Sequence, residues 1–156
     1  MKLFKSFYYA FCGIVNCIKN ETNFRIHIIA MLSVIWFSYV YDIYPHEKAI
    51  LVILISLVMV GELLNTSIEA MVDIISPGKS NLAKIAKDSA AGAVLIFALS
   101  SVICAFFLFS DMEKWADNVI PYIENYWYLL LGYIALSWFF IFKCGRNNKK
   151  VRGKNI

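Results

Sequence analysis

The sequence predicts an all-α integral membrane helical bundle: an N-terminal amphipathic surface helix, three core transmembrane helices and an additional C-terminal fourth span. Two observations carry that expectation. Of 156 residues, 60% are hydrophobic and 16% aromatic against only 17% charged, which would leave a water-soluble chain of this size with far too much apolar surface. In addition, uncharged apolar runs recur at Ile28 to Tyr41, Ala49 to Gly61, Ser89 to Ser110 and Asn125 to Phe142. The first two runs are short for the roughly 20 residues a span requires, so their helices must extend into polar flanks.

Residues 3–20 form the surface helix. Leu3, Phe4, Phe7, Tyr8, Phe11, Ile14, Val15 and Ile18 recur at helical spacing with Lys5, Cys12, Asn16 and Lys19 between them, the pattern of a helix lying on the inner leaflet. A cleaved signal sequence is not expected, because Asn16, Lys19, Asn20 and Glu21 interrupt the apolar run and no small-x-small site follows. The spans are expected at about 26–42, 48–75 and 82–110, with residues 1–110 as one membrane unit. Residues 111–156 supply an acid-rich loop from Asp111 to Glu124, an extra span at about 124–143 and a basic tail. Tyr122, Tyr126, Trp127 and Tyr128 read as an interfacial belt at the outer end of that span.

With the first end inside, all of the 15 basic residues except Lys48 and Lys114 are cytoplasmic. Both termini then face the cytoplasm of a multi-pass protein in the cell membrane. Arg146, Lys149, Lys150, Arg152 and Lys154 in the tail suit anionic headgroups, and no nucleic-acid partner is expected. Cys12, Cys17, Cys104 and Cys144 form no C-x-x-C pair and have no histidine at ligand spacing, which argues against structural zinc and a disulfide framework.

The second span holds the chemistry. Glu62, Asn65, Glu69 and Asp73 fall at offsets of three, seven and eleven, one stripe of a helix turning about 100° per residue. A charge left at mid-membrane costs about 2.5–3.5 kcal/mol on insertion scales, so a functional site is the default reading. The competing explanation, that the stripe merely pairs with Lys84, Lys87 or Arg25 to hold helices together, accounts poorly for four polar positions on one face. Beyond a hinge at Ser76-Pro77-Gly78-Lys79-Ser80, Lys87 and Asp88 open the third span, where a helix start and lysines favour an anion. Lys84 alone reads as positive flanking. Gly78-Lys79-Ser80 is not the end of a P-loop, since Asp73, on a helix, stands where the motif needs its first glycine. Its exposed amides and lysine can still meet phosphates, and a plain flexible turn explains it equally well. The small residues Ala90, Ala91, Gly92 and Ala93 allow the third span to approach the stripe.

Three linked motifs now identify a resemblance. Glu62-x-x-Asn65-Thr66-x-Ile68-Glu69-x-x-x-Asp73, followed by Ala83-Lys84-x-x-Lys87-Asp88-x-Ala90-Ala91-Gly92-Ala93-Val94, closely resembles the prokaryotic diacylglycerol kinase family of small integral-membrane lipid kinases. The upstream Glu21-x-Asn23-Phe24-Arg25-Ile26-His27 is similar to its Gram-positive undecaprenol kinase branch. The resemblance implies a homotrimer with active sites shared between chains at the cytoplasmic interface. It also implies ATP- and Mg2+-dependent transfer of the γ-phosphate to a membrane lipid alcohol, undecaprenol in preference to diacylglycerol. By position, Glu62 would be the general base and Glu21 and Glu69 the metal ligands. Asn65, Asp73, Lys87 and Asp88 would frame the nucleotide, with Gly78, Lys79 and Ser80 as the nucleotide-contacting turn and Tyr9 as an aromatic neighbour. His27 is expected to be a polar anchor without a catalytic role.

Physical chemistry supports these roles separately. Magnesium takes hard oxygen ligands and joins one or two carboxylates to substrate phosphates. Glu62 lies about 10 Å deeper along the helix than Glu69, at a depth where a lipid hydroxyl can reach it. Two readings of other classes compete. A proton or cation conductor using Glu62, Glu69 and Asp73 would need polar groups continuing outward, yet Ser56 alone interrupts Leu51 to Val60. A membrane phosphatase would need histidine and arginine motifs, and His27 and His46 have no such context. The fourth span and tail depart from the family's three-span pattern.

Overall fold

The structure is a computed structural model that describes residues 2–78 and 80–143. Its elements are α1 (Lys2–Asn20), α2 (Thr22–Val40), α3 (Pro45–Ile75), α4 (Asn81–Leu108), the single turn α5 (Met112–Lys114), a π-helical stretch at Trp115–Val119 and α6 (Ile120–Lys143). Among the described residues there is no strand, and four helical segments are long and apolar enough to cross a membrane. The chain is a helical membrane protein. Lys79, Cys144 and the basic tail lie outside the described residues.

Each span begins where local chemistry permits. α2 starts directly after Glu21, whose extended backbone (φ −105°, ψ 117°) separates it from α1, so it begins about four residues before the expected boundary. Pro45 opens α3 with a preset φ and no unsatisfied N–H, and the Glu47 carboxylate accepts from Tyr44 N–H at 2.7 Å. That cap extends α3 to 31 residues, about 46 Å at 1.5 Å per residue. Its C-terminal turns therefore project the acidic stripe beyond a hydrocarbon core of about 30 Å. α4 starts at the Ser80 N-cap, whose Oγ accepts from Ala83 N–H.

α3 and α4 form the main helical hairpin. They pack closely at Gly61, where an added Cβ would stand 3.1 Å from the Phe97 ring and 3.6 Å from Val94. Of the small residues at 90–93, Ala90 is buried, while Gly92 has open space around it. The close approach thus depends on Gly61 and Ala90, not on the whole small-residue run.

At the end of the bundle away from the stripe, Tyr41, Ile43, Leu51 and Val119 pack together with Phe37, Phe109 and Trp115. This cluster corrects the expected loop from Asp111 to Glu124. Trp115 and Val119 are one helical turn apart and both enter it, so the segment folds as helix, and α6 begins at Ile120 instead of about 124. The Tyr41 hydroxyl donates to the Asp111 carbonyl at 2.8 Å and the Trp115 indole to the Phe109 carbonyl at 2.8 Å. Lys114 donates to the carbonyl of Asp42, a residue at φ 56°, and stands 4.1 Å over the Tyr44 ring.

α6 lies along α2. The Tyr133 hydroxyl donates to the Ile29 carbonyl at 3.0 Å and lies 2.9 Å from Ser33 Oγ, while Trp36 meets Tyr122 edge to face. At the stripe end, Arg25 ties three helices together. Its guanidinium is 3% exposed and donates to the carbonyls of Ile141, Ile18 and Lys19 and to Thr22 Oγ1, at 2.9–3.2 Å. Arg25 is therefore not a partner of the acidic stripe. The carbonyls of Ile18 and Lys19 lie in the last turn of α1, where the helix dipole favours a cation. The apolar residues Leu3, Phe4, Phe7, Tyr8 and Phe11 of α1 are exposed, as a helix resting on a lipid surface requires. Near its end Cys17 is buried, and its thiol meets the Thr66 hydroxyl of α3.

Two expectations follow from these contacts. Replacing Arg25 by alanine orphans the Ile18 and Lys19 carbonyls at the end of α1 and removes its charged hydrogen bond to Ile141, lowering stability by about 2 kcal/mol or more; thermal unfolding in detergent measures it, and an unchanged midpoint would refute the clamp. Burial pushes the Cys17 thiol up, outweighing the Thr66 hydrogen bond, which leaves less thiolate at neutral pH. Exposed Cys12 will therefore react with a maleimide ahead of Cys17, as mass mapping of modified peptides can resolve.

Candidate active site

The stripe on α3 is real and each of its members has found a partner. Glu62 is the deepest, at 4% exposure, and its Oε1 lies 3.2 Å from His27 Nε2 on α2. One turn on, Asn65 Nδ2 donates to Glu69 Oε1 at 2.9 Å. Asp73, on the last turns of α3, pairs with Lys87 of α4. Glu21 occupies the residue between α1 and α2, and both Glu21 and Glu69 lie close enough to Glu62 to act on it electrostatically. Helical periodicity put the carboxylates on one face; the packing of α2 and α4 then gave each end of that face a nitrogen partner.

The α3–α4 connection forms a cleft of about 450 Å³ lined by both polar and apolar residues. Asp73, Gly78, Ser80, Lys87 and Asp88 line it, as does Lys84, which sequence reasoning assigned to charge flanking. Asn81, at the first turn of α4, also lines it. A cleft combining the start of a long helix with two lysine ammonium groups is suited to phosphate oxygens. A second cavity, about 300 Å³ and almost wholly apolar, runs between α2, α3 and α4 from Ile26 and His27 toward Leu51 and Ala105. Along α3, Glu62, Asn65 and Glu69 thus fall between Met59, which lines the groove, and Val72, which lines the cleft.

Two expected positions behave differently. Tyr9 is not brought to the cleft: it is 68% exposed, and its ring meets Tyr8 at 5.7 Å on the part of α1 that projects from the bundle. Lys79 lies outside the described residues. His27, expected to be a simple anchor, instead lies against Glu62. A single histidine in an apolar run has no periodic partner in its own helix, so only the inter-helix packing reveals its neighbour.

The donor set suits a magnesium ion. Glu21 and Glu69 supply hard oxygens, and Asn65 Oδ1, beside Glu69, is buried without a hydrogen-bond partner. Among the described residues no three His, Cys, Asp or Glu groups come together as a metal cage.

Comparison with known proteins matches this arrangement. The sequence profile described as prokaryotic diacylglycerol kinase fits residues 8–109, which span α1 to the end of α4 and leave α6 outside. Undecaprenol kinase of Bacillus subtilis is 40% identical over 108 residues, covering 69% of this chain and 88% of that protein. Diacylglycerol kinase of Synechocystis is 41% identical over 102 residues, 65% of this chain and 58% of the relative. Diacylglycerol kinase of Escherichia coli K12 is 32% identical over 102 residues, 65% of this chain and 84% of that protein. A family profile matched through all three core spans, on a chain whose stripe, cleft and groove assemble around those same spans, means that this protein belongs to the prokaryotic diacylglycerol kinase family and is a membrane lipid kinase.

Proposed function

We propose that the protein transfers the γ-phosphate of ATP to undecaprenol, with Glu62 as general base and magnesium held by Glu21 and Glu69. The observation that carries this reading is Glu62, buried on α3 against His27, which lines the apolar groove, on the same helix that carries Asp73 into the cleft toward Asp88. A phosphoryl donor and a hydrocarbon-tailed alcohol can approach such a carboxylate from opposite sides. Undecaprenol is preferred over diacylglycerol on the Glu21 to His27 pattern and on the 40% identity to the Bacillus subtilis enzyme over 88% of its length. The Synechocystis relative, at 41% identity, keeps diacylglycerol as the second reading.

In this scheme the lipid hydroxyl lies at the Glu62 carboxylate, which takes its proton as the oxygen attacks the γ-phosphorus. A general base of this kind contributes about 10²–10⁴-fold. Lys87, released in part from Asp73, and Lys84 neutralise phosphoryl oxygens, and the first turn of α4 orients its amides toward the same charge. Phosphoryl transfer depends mainly on such positioning and electrostatics. Glu21 and Glu69 would hold magnesium, which would supply positive charge to offset the charge developing on the phosphoryl oxygens. The stripe end faces the cytoplasm by the distribution of basic residues, with both termini on that side. A homotrimer is the assembly that the family resemblance implies. A proton-conducting role draws no support from α3, because Ser56 Oγ is bonded to the Val52 carbonyl and continues no relay.

The deciding assay supplies magnesium ATP to the purified protein in lipid, with undecaprenol and diacylglycerol side by side. Preferential product from undecaprenol is expected; preference for diacylglycerol would move the acceptor, and transfer to neither by folded protein would overturn the reading. Glu62→Gln should lower turnover by about 10²-fold or more with nucleotide binding retained. Glu69→Gln should instead weaken nucleotide binding that depends on magnesium, measured by titration calorimetry at fixed and varied metal concentration.

A further inference from the structure

The transfer scheme leaves one close contact unused. His27 stands at the sixth residue of α2, and its Nε2 lies 3.2 Å from Glu62 Oε1, with the two side chains 23% and 5% exposed. The other titratable groups around Glu62 are Glu21 at the α1–α2 junction, Glu69 on α3 and Cys17 on α1, while α4 presents Val94 and Phe97 beside Gly61. None of these carries an N–H. Among the described residues His27 is the one ion-pair partner of Glu62, and it also lines the mouth of the apolar groove.

A glutamate has three rotatable side-chain bonds, and a base must hold its oxygen within about 2.6–3.2 Å of the proton it removes. At 5% exposure, bulk water cannot hold the carboxylate in place. We propose that His27 is the positioning residue of the base: Nε2–H donates to Oε1 and fixes the carboxylate plane, leaving Oε2 turned to the lipid hydroxyl. The tautomer follows from the partner, because a carboxylate only accepts. In the step itself the hydroxyl O–H bond breaks and its proton passes to Oε2. The alkoxide oxygen forms the new bond to phosphorus, and the bridging P–O bond breaks with its electron pair leaving on the nucleoside diphosphate. His27 keeps its proton throughout. The inference rests on the reading of Glu62 as base.

The test is steady-state kinetics of the full-length protein in lipid with magnesium ATP and whichever alcohol it phosphorylates. His27→Leu should lower kcat on the order of 10- to 100-fold, with KM for magnesium ATP held within about twofold. His27→Gln, which places an N–H donor at the same reach, should recover most of kcat, while the shorter His27→Asn should not. In a Glu62→Asp background, whose carboxylate is withdrawn by one methylene, His27→Leu should cause no further loss, because interacting residues are non-additive. Unchanged kcat in His27→Leu alongside an inactive Glu62→Gln would overturn the positioning role and leave the base. A fully active Glu62→Gln would overturn both. Additive losses in the two backgrounds would make His27 an ordinary packing residue. Should His27→Leu fail to fold, the contrast of glutamine with asparagine decides alone, and equal rates for the two overturn the proposal.

Discussion

A carboxylate removed from water must be given its partners by the protein, and the arrangement of this bundle follows from that requirement. Unpaired, a buried charge costs several kcal/mol, and each polar group in hydrocarbon has to be satisfied internally. Glu62, the buried one, meets His27; Glu69, half-buried, meets Asn65; and Asp73, exposed at the end of the helix, meets Lys87. These contacts join α3 to α2 at one depth and α3 to α4 at another. The helices are thereby held at the levels where a phosphoryl donor and a lipid alcohol can meet. Function and folding draw on the same residues, since breaking any pair exposes a charge and also misplaces a reacting group.

The depth of the site depends on the length of α3. Its 31 residues exceed what a single crossing needs, and the surplus carries Glu69 and Asp73 toward the headgroup region while Glu62 stays near the apolar groove. Gly61, immediately before the base, packs closely against Phe97 and Val94. A side chain there would require the Phe97 ring to give by a few tenths of an ångström at the level of Glu62.

The legible parts of this protein are those written within one helix. The four-residue stripe of α3, the spans and the surface helix all follow from periodicity, and Glu62, Asn65, Glu69 and Asp73 share a face as their spacing requires. The family resemblance carried Gly78, Ser80, Lys87 and Asp88 to the cleft that the structure forms. What the pattern did not reveal lies between helices. His27 and Arg25 sit two residues apart in the same apolar run, yet one faces a carboxylate and the other closes the end of α1 and reaches α6. Acidic residues at Asp111, Glu113 and Asp117 gave the next segment a loop-like composition, but Trp115 and Val119 had a cluster to fill. Tertiary contact overrode composition there.

The fourth span explains the one helix whose pattern has no polar face. Along α2, the residues that meet α6 are Arg25, Ile29, Ser33 and Trp36, while those bordering the apolar groove are Ile26, His27, Ala30, Met31 and Val34. At about 100° per residue these two stripes are centred roughly 140° apart. A membrane-spanning helix that meets another helix on one side and lipid at exposed positions such as Leu32 and Ile35 has no water-facing surface to mark with charge, and so it reads as apolar all round. α6 covers the outer side and leaves the groove side free, and it lies beyond the residues matched to the family. Its Ile141 carbonyl shares the Arg25 guanidinium with Ile18 and Lys19, just before Glu21. The added helix therefore braces, from behind, the junction that carries a candidate metal ligand, without entering the site.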